Sequence, residues 1–134
     1  MPLFILVLIT GLVFMAGDLI VIPLVMRPLF QKYLGAEMLD QLRLVPALLF
    51  YIIHIAGLAY FAGLPAVRSG TATTALLNGA LLGLVAYSCF EMTNYTILRS
   101  WQINLVIVDL AWGTIASGLS AYAGALAALW WAGR

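Results

Sequence analysis

The chain has 134 residues, of which 65% are hydrophobic and 8% are charged, and its formal net charge is +1. Soluble domains carry about 25% charged residues, and a chain of this length cannot bury so much apolar surface in one core, which argues against a soluble enzyme. The low charge gives no basic patch for nucleic acid, and the single cysteine, Cys89, excludes an internal disulfide. The sequence therefore predicts one membrane domain, residues 1–134, with the lipid bilayer as its partner.

Four apolar runs are long enough to cross a bilayer, which takes about 20 residues in a helix. The expected spans cover residues 3–26, 45–64, 74–98 and 103–131. The first apolar run ends at Arg27-Pro28 and the second ends at Pro65. Short connections make consecutive helices antiparallel neighbours, so the predicted fold is an all-α antiparallel four-helix transmembrane bundle.

The connection between the first two spans is the longest, and it carries apolar residues at every fourth position. These residues are Phe30, Leu34, Met38 and Leu42. The spacing is typical of a short amphipathic helix lying in the membrane interface, and an ordered loop is an equally good interpretation.

The basic residues are divided unevenly between the two membrane faces. One face would carry Arg27, Lys32, Arg43 and Arg99, and the other would carry Arg68 and Arg134. Cytoplasmic loops are enriched in Lys and Arg, so the first face is expected to be cytoplasmic. The expected protein is a multi-pass protein of the inner membrane with both termini in the periplasm.

Small residues predict where the third and fourth helices meet. Gly79 and Gly83 form a GxxxG pattern in the third helix. The fourth helix carries a stripe of small residues at Gly113, Ser117, Ala121 and Ala125. Small residues allow close backbone approach in lipid, which favours contact between these helices within one chain over a dimer seam. The tryptophans near the span ends are expected at the level of the lipid headgroups; they are Trp101, Trp130 and Trp131.

Each span contains an ionisable residue, and the four lie at a similar depth. They are Asp18, His54, Glu91 and Asp109. At about 1.5 Å per helical residue, all four lie roughly 12–17 Å inward from the basic residues of one membrane face. Ionisable groups at such a depth are costly and indicate a functional site, here a polar pocket open toward the expected cytoplasmic face. The alternative is that these groups bond to one another and only fix the helix register.

Helical spacing places further side chains beside the acids. Tyr87 and Asn94 share a face of the third helix with Glu91, and Trp112 shares a face of the fourth with Asp109. The candidates for acid–base chemistry are Glu91, Asp109 and Asp18. The candidate ligand contacts are Asn94, His54, Trp112 and Tyr87.

Three acids in one dry layer cannot all be charged without a cation, because they repel one another and lose their hydration. The cation could be protonated His54, a metal ion or a cationic substrate. A metal such as Zn, Fe or Mn would take its ligands from Asp18, His54, Glu91 and Asp109. The chain has no ExxH or HExxH motif, and its sequence identifies no cofactor.

Two sequence elements resemble a known bacterial membrane family. They are residues 87–94, YSCFEMTN, and residues 108–113, VDLAWG, with Trp101 between them. The family is catalogued as domain of unknown function 2177, and the resemblance extends over nearly the whole chain. Glu91 stands where the family is expected to have Asp, and Gln102 stands where Pro is expected. The resemblance implies a small bacterial inner-membrane protein with four helices, and it implies no activity.

Three classes of function remain open. The preferred one is an intramembrane polar site that binds a small molecule or a lipid headgroup, with acid–base or metal-assisted chemistry as its most specific form. The second is a small proton-coupled transporter that works as a dimer and uses Asp18 as its membrane-embedded carboxylate. The third is a structural subunit of a larger membrane complex.

Overall fold

The computed structural model describes residues 1–133 and contains four long helices. They are α1 (Pro2–Glu37), α2 (Leu44–Ser69), α3 (Ala72–Ile97) and α4 (Ile103–Trp131). Each is long and apolar enough to cross a membrane. The all-α fold with four spanning helices is therefore confirmed. The connections are short, and the longest described one covers residues 38–43.

Helices α1 and α2 continue past the prolines at which the apolar runs end. Each contains one wide π-turn, at Ile22–Met26 in α1 and at Ala59–Gly63 in α2. The residue after each turn donates its backbone N–H five residues back, and in both helices the next residue is a proline, Pro28 or Pro65. Proline removes a donor and crowds the carbonyl of the preceding turn, and a π-turn relieves this crowding. Helices α1 and α2 therefore extend beyond the ends of the apolar runs at Arg27-Pro28 and Pro65.

The connection expected to hold either a short interfacial helix or an ordered loop is helical only as far as Glu37, as a continuation of α1, and Met38 and Leu42 of its apolar pattern lie beyond the helix end. Residues 27–37, called here the α1 extension, continue α1 as an α-helix at Arg27–Leu34 and a 3-10 turn at Gly35–Glu37. The α1 extension packs on the α3–α4 connection and on the first turn of α4, where the Asn104 amide donates to the Tyr33 hydroxyl at 3.1 Å. The Ser100 hydroxyl donates to Glu37 Oε1 at 3.2 Å. The α1–α2 and α3–α4 connections therefore lie at the same end of the bundle.

Helices α3 and α4 pack along most of their length, as the small residues predict. A Cβ added at Gly79 would lie 2.8 Å from the Ser117 carbonyl oxygen and 2.9 Å from the Ala121 Cβ. One added at Gly83 would overlap the Gly113 carbonyl oxygen. The two backbones approach so closely that a side chain does not fit at either glycine, which confirms the predicted contact between these helices within one chain.

The buried face of each helix includes its ionisable residue. In α1 this face repeats every four residues, and its buried members are Leu6, Thr10, Phe14 and Asp18. His54 is buried in α2, Glu91 in α3 and Asp109 in α4. Large apolar side chains cover the outer faces, where a bilayer would meet them. The packing thus turns all four ionisable groups toward the interior.

Candidate functional site

Asp18 accepts hydrogen bonds at both of its carboxylate oxygens. The indole Nε1 of Trp112 donates to Oδ1 at 2.8 Å, and the hydroxyl of Tyr51 donates to Oδ2 at 2.7 Å. Both partners are donors, as a carboxylate requires, since it can only accept. Asp18 is 5% exposed, so these bonds replace the water that it loses on burial. This one carboxylate joins α1, α2 and α4.

Two glycines make room for the aromatic rings around this acid. The ring of Trp112 lies across Gly17, where an added Cβ would be 3.0 Å from two of the ring atoms. The ring of Tyr87 lies against Gly113, where an added Cβ would overlap the ring. Both rings therefore rest directly on the backbone of a neighbouring helix.

A cavity of about 420 Å³ extends from Asp18 toward the end of the bundle that carries the α1 extension. Asp18 and Asp109 are its acidic residues, and all four helices contribute to its wall. Its aromatic residues are Phe30, Phe50, Tyr51, Tyr87, Phe90 and Trp112. Ligand sites are commonly apolar or aromatic with a few polar groups that fix orientation, and this wall has that composition.

The cavity borders the lipid-facing surface between α2 and α3. Phe50 and Phe90, from these two helices, line the cavity and are 40% and 51% exposed. Backbone contact between α2 and α3 is concentrated in the second half of α2, from Ala59 onward. Nearer the cavity, Phe50 and His54 reach the edge of the Tyr87 ring, with centroids 6.1 and 6.0 Å apart.

Two further acids, Glu91 of α3 and Asp109 of α4, are buried in the bundle. Glu91 is fully buried, and its Oε1 accepts a hydrogen bond from Trp101 Nε1 at 2.8 Å. Its Oε2 has no hydrogen-bond partner among residues 1–133. Asp109 is 8% exposed and lines the cavity.

Residues 3–126 match the sequence model of a protein family, domain of unknown function 2177 (DUF2177), which is described as a predicted membrane protein. The chain belongs to this family. The matched segment of this DUF2177 chain includes every described residue of the cavity wall and also Glu91. No curated protein and no solved structure gives a significant match. The resemblance inferred from residues 87–94 and 108–113 is thus confirmed.

His54 and Asn94 are placed differently from the other candidate residues of this DUF2177 chain. His54 Nε2 shares a hydrogen bond of 2.9 Å with Ser117 Oγ, and its ring stacks on Phe50 with a centroid distance of 5.1 Å. Neither His54 nor Asn94 is among the described residues of the cavity wall. The cavity brings together Asp18, Asp109, Tyr87 and Trp112, whereas Glu91 is buried and is not among the described residues of the wall.

The set of four metal ligands considered from the sequence is not assembled. Among residues 1–133, no group of three or more His, Cys, Asp and Glu side chains is arranged to hold a metal ion. The reason is geometric, because His54 bonds to a hydroxyl and Asp18 is occupied by Tyr51 and Trp112.

Two aromatic residues of this DUF2177 chain have roles that the sequence reasoning missed. Tyr51 was not selected, although it lies one helical turn before His54 and therefore at the depth of the ionisable layer. Trp101 was expected at the lipid headgroups, but it is 7% exposed and bonds Glu91. Its indole N–H finds a buried acceptor because the α1 extension covers it, with Phe30 5.8 Å away between ring centroids.

Proposed function

We propose that this chain binds the ammonium group of a small or amphiphilic molecule within the membrane, in the cavity between Asp18 and Asp109. The observation that carries the proposal is the placement of two acids from different helices in one cavity whose remaining wall is largely aromatic. Aromatic faces attract cations, and acids in a medium of low dielectric attract them more strongly than in water. This combination supports an organic cation over an anion or a neutral solute.

The same ammonium chemistry occurs in free amines and in lipid headgroups. The wall reaches the lipid-facing surface at Phe50 and Phe90, which supports a ligand that is partly dissolved in the bilayer. Purified protein in phosphatidylglycerol nanodiscs should bind benzyltrimethylammonium in isothermal titration calorimetry, with empty nanodiscs as the blank. If phosphatidylethanolamine added to the disc weakens this binding, the source is a headgroup; if only soluble benzylamine competes, the source is a free amine.

Amide substitution of the acids tests the site. Asp109→Asn should weaken binding by about tenfold or more, since about 1.4 kcal/mol of lost attraction corresponds to a factor of ten. The matched control is Asp40→Asn, which makes the same chemical change in the exposed connection between α1 and α2. Undetectable binding by the unaltered protein at millimolar probe, or equal binding by Asp109→Asn, would overturn the proposal. Gel filtration and circular dichroism establish that both variants are folded.

A transport function is the second candidate, and the cavity favours it less. The lining residues all lie in the half of the bundle nearer the α1–α2 and α3–α4 connections, so the cavity reaches one side only. Transport would require a second conformation open at the other side. The Gly79–Gly83 face, which could join two chains, is occupied by α4. Proton-driven uptake of the probe into proteoliposomes, abolished by Asp18→Asn, would establish transport.

We also propose that the protein lies in the inner membrane with both termini in the periplasm. The structure groups Arg27, Lys32, Arg43 and Arg99 with two connections at one end of the bundle, which supports a cytoplasmic location for that end. Alkaline phosphatase, which is active only outside the cytoplasm, should be active when fused after residue 133 and inactive when inserted at residue 40. The reverse pattern would overturn this orientation.

A further inference from the structure

We propose that the ligand is a long-chain amphiphile whose ammonium group lies between Asp18 and Asp109 and whose hydrocarbon chain lies in a groove between α1 and α2. The inference rests on the proposed function, because the chain is attached to the ammonium that the acids hold. It adds a second binding surface and makes a long-chain amine, rather than a compact one, the ligand. Its structural basis is the position of the groove directly beside the cavity.

The groove between α1 and α2 is apolar along its whole length. It has a volume of about 690 Å³, and the described residues of its wall all belong to these two helices and carry no charge. In α1 the wall extends from Leu3 to Met15, and in α2 it extends from Leu48 to Leu64. A polar group placed here would lose its hydrogen bonds with water, which is costly. The wall therefore suits a hydrocarbon chain.

The length of the groove is close to that of one membrane-lipid chain. The stretch from Leu3 to Met15 rises by twelve residues, which is about 18 Å at 1.5 Å per residue. The hydrocarbon core of a bilayer is about 30 Å thick and consists of two layers of chains, so that one chain covers about 15 Å of depth. This agreement favours a long chain over a short alkyl group.

The groove and the cavity meet at one level between α1 and α2. Tyr51 lines both spaces, and its hydroxyl donates to Asp18 at 2.7 Å. In α2, the consecutive residues Ala47 and Leu48 line the cavity and the groove respectively. In α1, Met15 of the groove lies about one helical turn before Asp18 of the cavity. A chain attached to an ammonium at Asp18 therefore has the groove directly beside it.

The direction of the chain distinguishes this ligand from an ordinary lipid that lies against the protein. The chain of the proposed ligand begins near Tyr51 and ends near Leu3 and Leu64, at the far end of the groove. A lipid of the leaflet at that far end would lie the other way round, with its headgroup beyond Leu3 and the end of its chain near Tyr51. Only the proposed ligand requires that the acids hold its headgroup.

Photo-crosslinking of a long-chain probe tests where the chain ends. The probe is hexadecyltrimethylammonium with a diazirine on its terminal carbon, present at a low mole fraction in phosphatidylglycerol nanodiscs. Peptide mass spectrometry after illumination should find label at residues 3–8 of α1 and 59–64 of α2. Excess benzyltrimethylammonium, which competes for the acids and has no long chain, should remove this label. Label on the exposed residues Ile115 and Leu119 of α4 should remain, because it reports probe dissolved in the bilayer.

A substitution that fills the groove provides a second test. Ala56 is exposed and lines the groove, so the ring introduced by Ala56→Phe occupies this space without entering the interior of the bundle. We expect the label at residues 3–8 and 59–64 to be lost. The matched control is Ala111→Phe, which makes the same change at an exposed position of α4 that lines neither space. This variant should retain the label.

The possible results separate this inference from the proposed function. Groove label that persists in excess benzyltrimethylammonium would come from a chain whose headgroup is not held by the acids, and it would overturn the inference alone. Absence of label from the groove, or undiminished label in Ala56→Phe, would do the same. Failure of benzyltrimethylammonium to bind in calorimetry would overturn the proposed function itself.

Discussion

The approach of α3 to α4 at Gly83 predicts a large loss of stability from a single methyl group. In Gly83→Ala the added Cβ would lie 2.5 Å from Ser117 Oγ and 2.6 Å from Ser117 Cβ, and it would overlap the Gly113 carbonyl oxygen. Ordinary contacts of a Cβ begin at 3.4 Å, and a backbone carbonyl cannot rotate away. Helix α4 must therefore shift by about 1 Å, and overpacking of this kind costs about 1–3 kcal/mol.

A matched control isolates this packing cost from helix propensity. In Gly57→Ala, in the interior of α2, the added Cβ would lie 3.6 Å from Leu82 Cδ2, an ordinary contact. Both variants gain the same propensity, about 1 kcal/mol, on replacement of glycine by alanine. The free energy of unfolding, measured by SDS titration of mixed micelles, should therefore be lower in Gly83→Ala than in Gly57→Ala by about 1–3 kcal/mol.

Equal stability of the two variants would refute the close α3–α4 approach. The refutation would extend to the site, because the same helix contact includes Ser117 and Gly113. Ser117 bonds His54, and Gly113 lies against the Tyr87 ring.

Two further predictions concern the aromatic residues around the acids. Trp101→Phe leaves the buried Glu91 carboxyl without its indole donor and should lower the free energy of unfolding by about 1–3 kcal/mol. The control Trp130→Phe, at an 80% exposed position, should have no measurable effect. Equal stability of these two variants would contradict the bond to Glu91. Gly113→Ala displaces the Tyr87 ring from the cavity wall. It should weaken benzyltrimethylammonium binding about 2- to 30-fold in calorimetry, because one cation–π contact contributes about 0.5–2 kcal/mol. Unchanged affinity would show that the ring does not contact the cation.

The number of helices and the partner of α3 could be predicted because each depends on a local property of the sequence. Runs of apolar residues determine which segments cross a bilayer. Gly79 and Gly83, one helical turn apart, mark a surface that another backbone can approach. The buried acids were placed at a common depth because helical rise converts sequence distance into length.

The helix ends and the hydrogen-bond partners could not be predicted by the same means. The π-turns depend on how the backbone relaxes around Pro28 and Pro65. A proline in the sequence indicates that the regular hydrogen-bond pattern is interrupted, but it does not show whether the helix continues beyond it. The donor that each acid receives depends on helix rotation, which arises from packing across the whole bundle. Trp101 illustrates this. The α1 extension covers its ring, so that it is a buried donor to Glu91, and the sequence of the α3–α4 connection does not reveal this cover.

The π-turn of α1 also determines which way the α1 extension faces. A regular helix advances about 100° per residue, so the twelve positions from Asp18 to Phe30 would leave these side chains about 120° apart around the axis. The wide turn at Ile22–Met26 takes up about one extra residue and reduces that angle to about 20°. The acid and the aromatic ring thus point into one cavity. Restoring a regular helix here would rotate Phe30 away from Asp18 without altering any side chain of the wall.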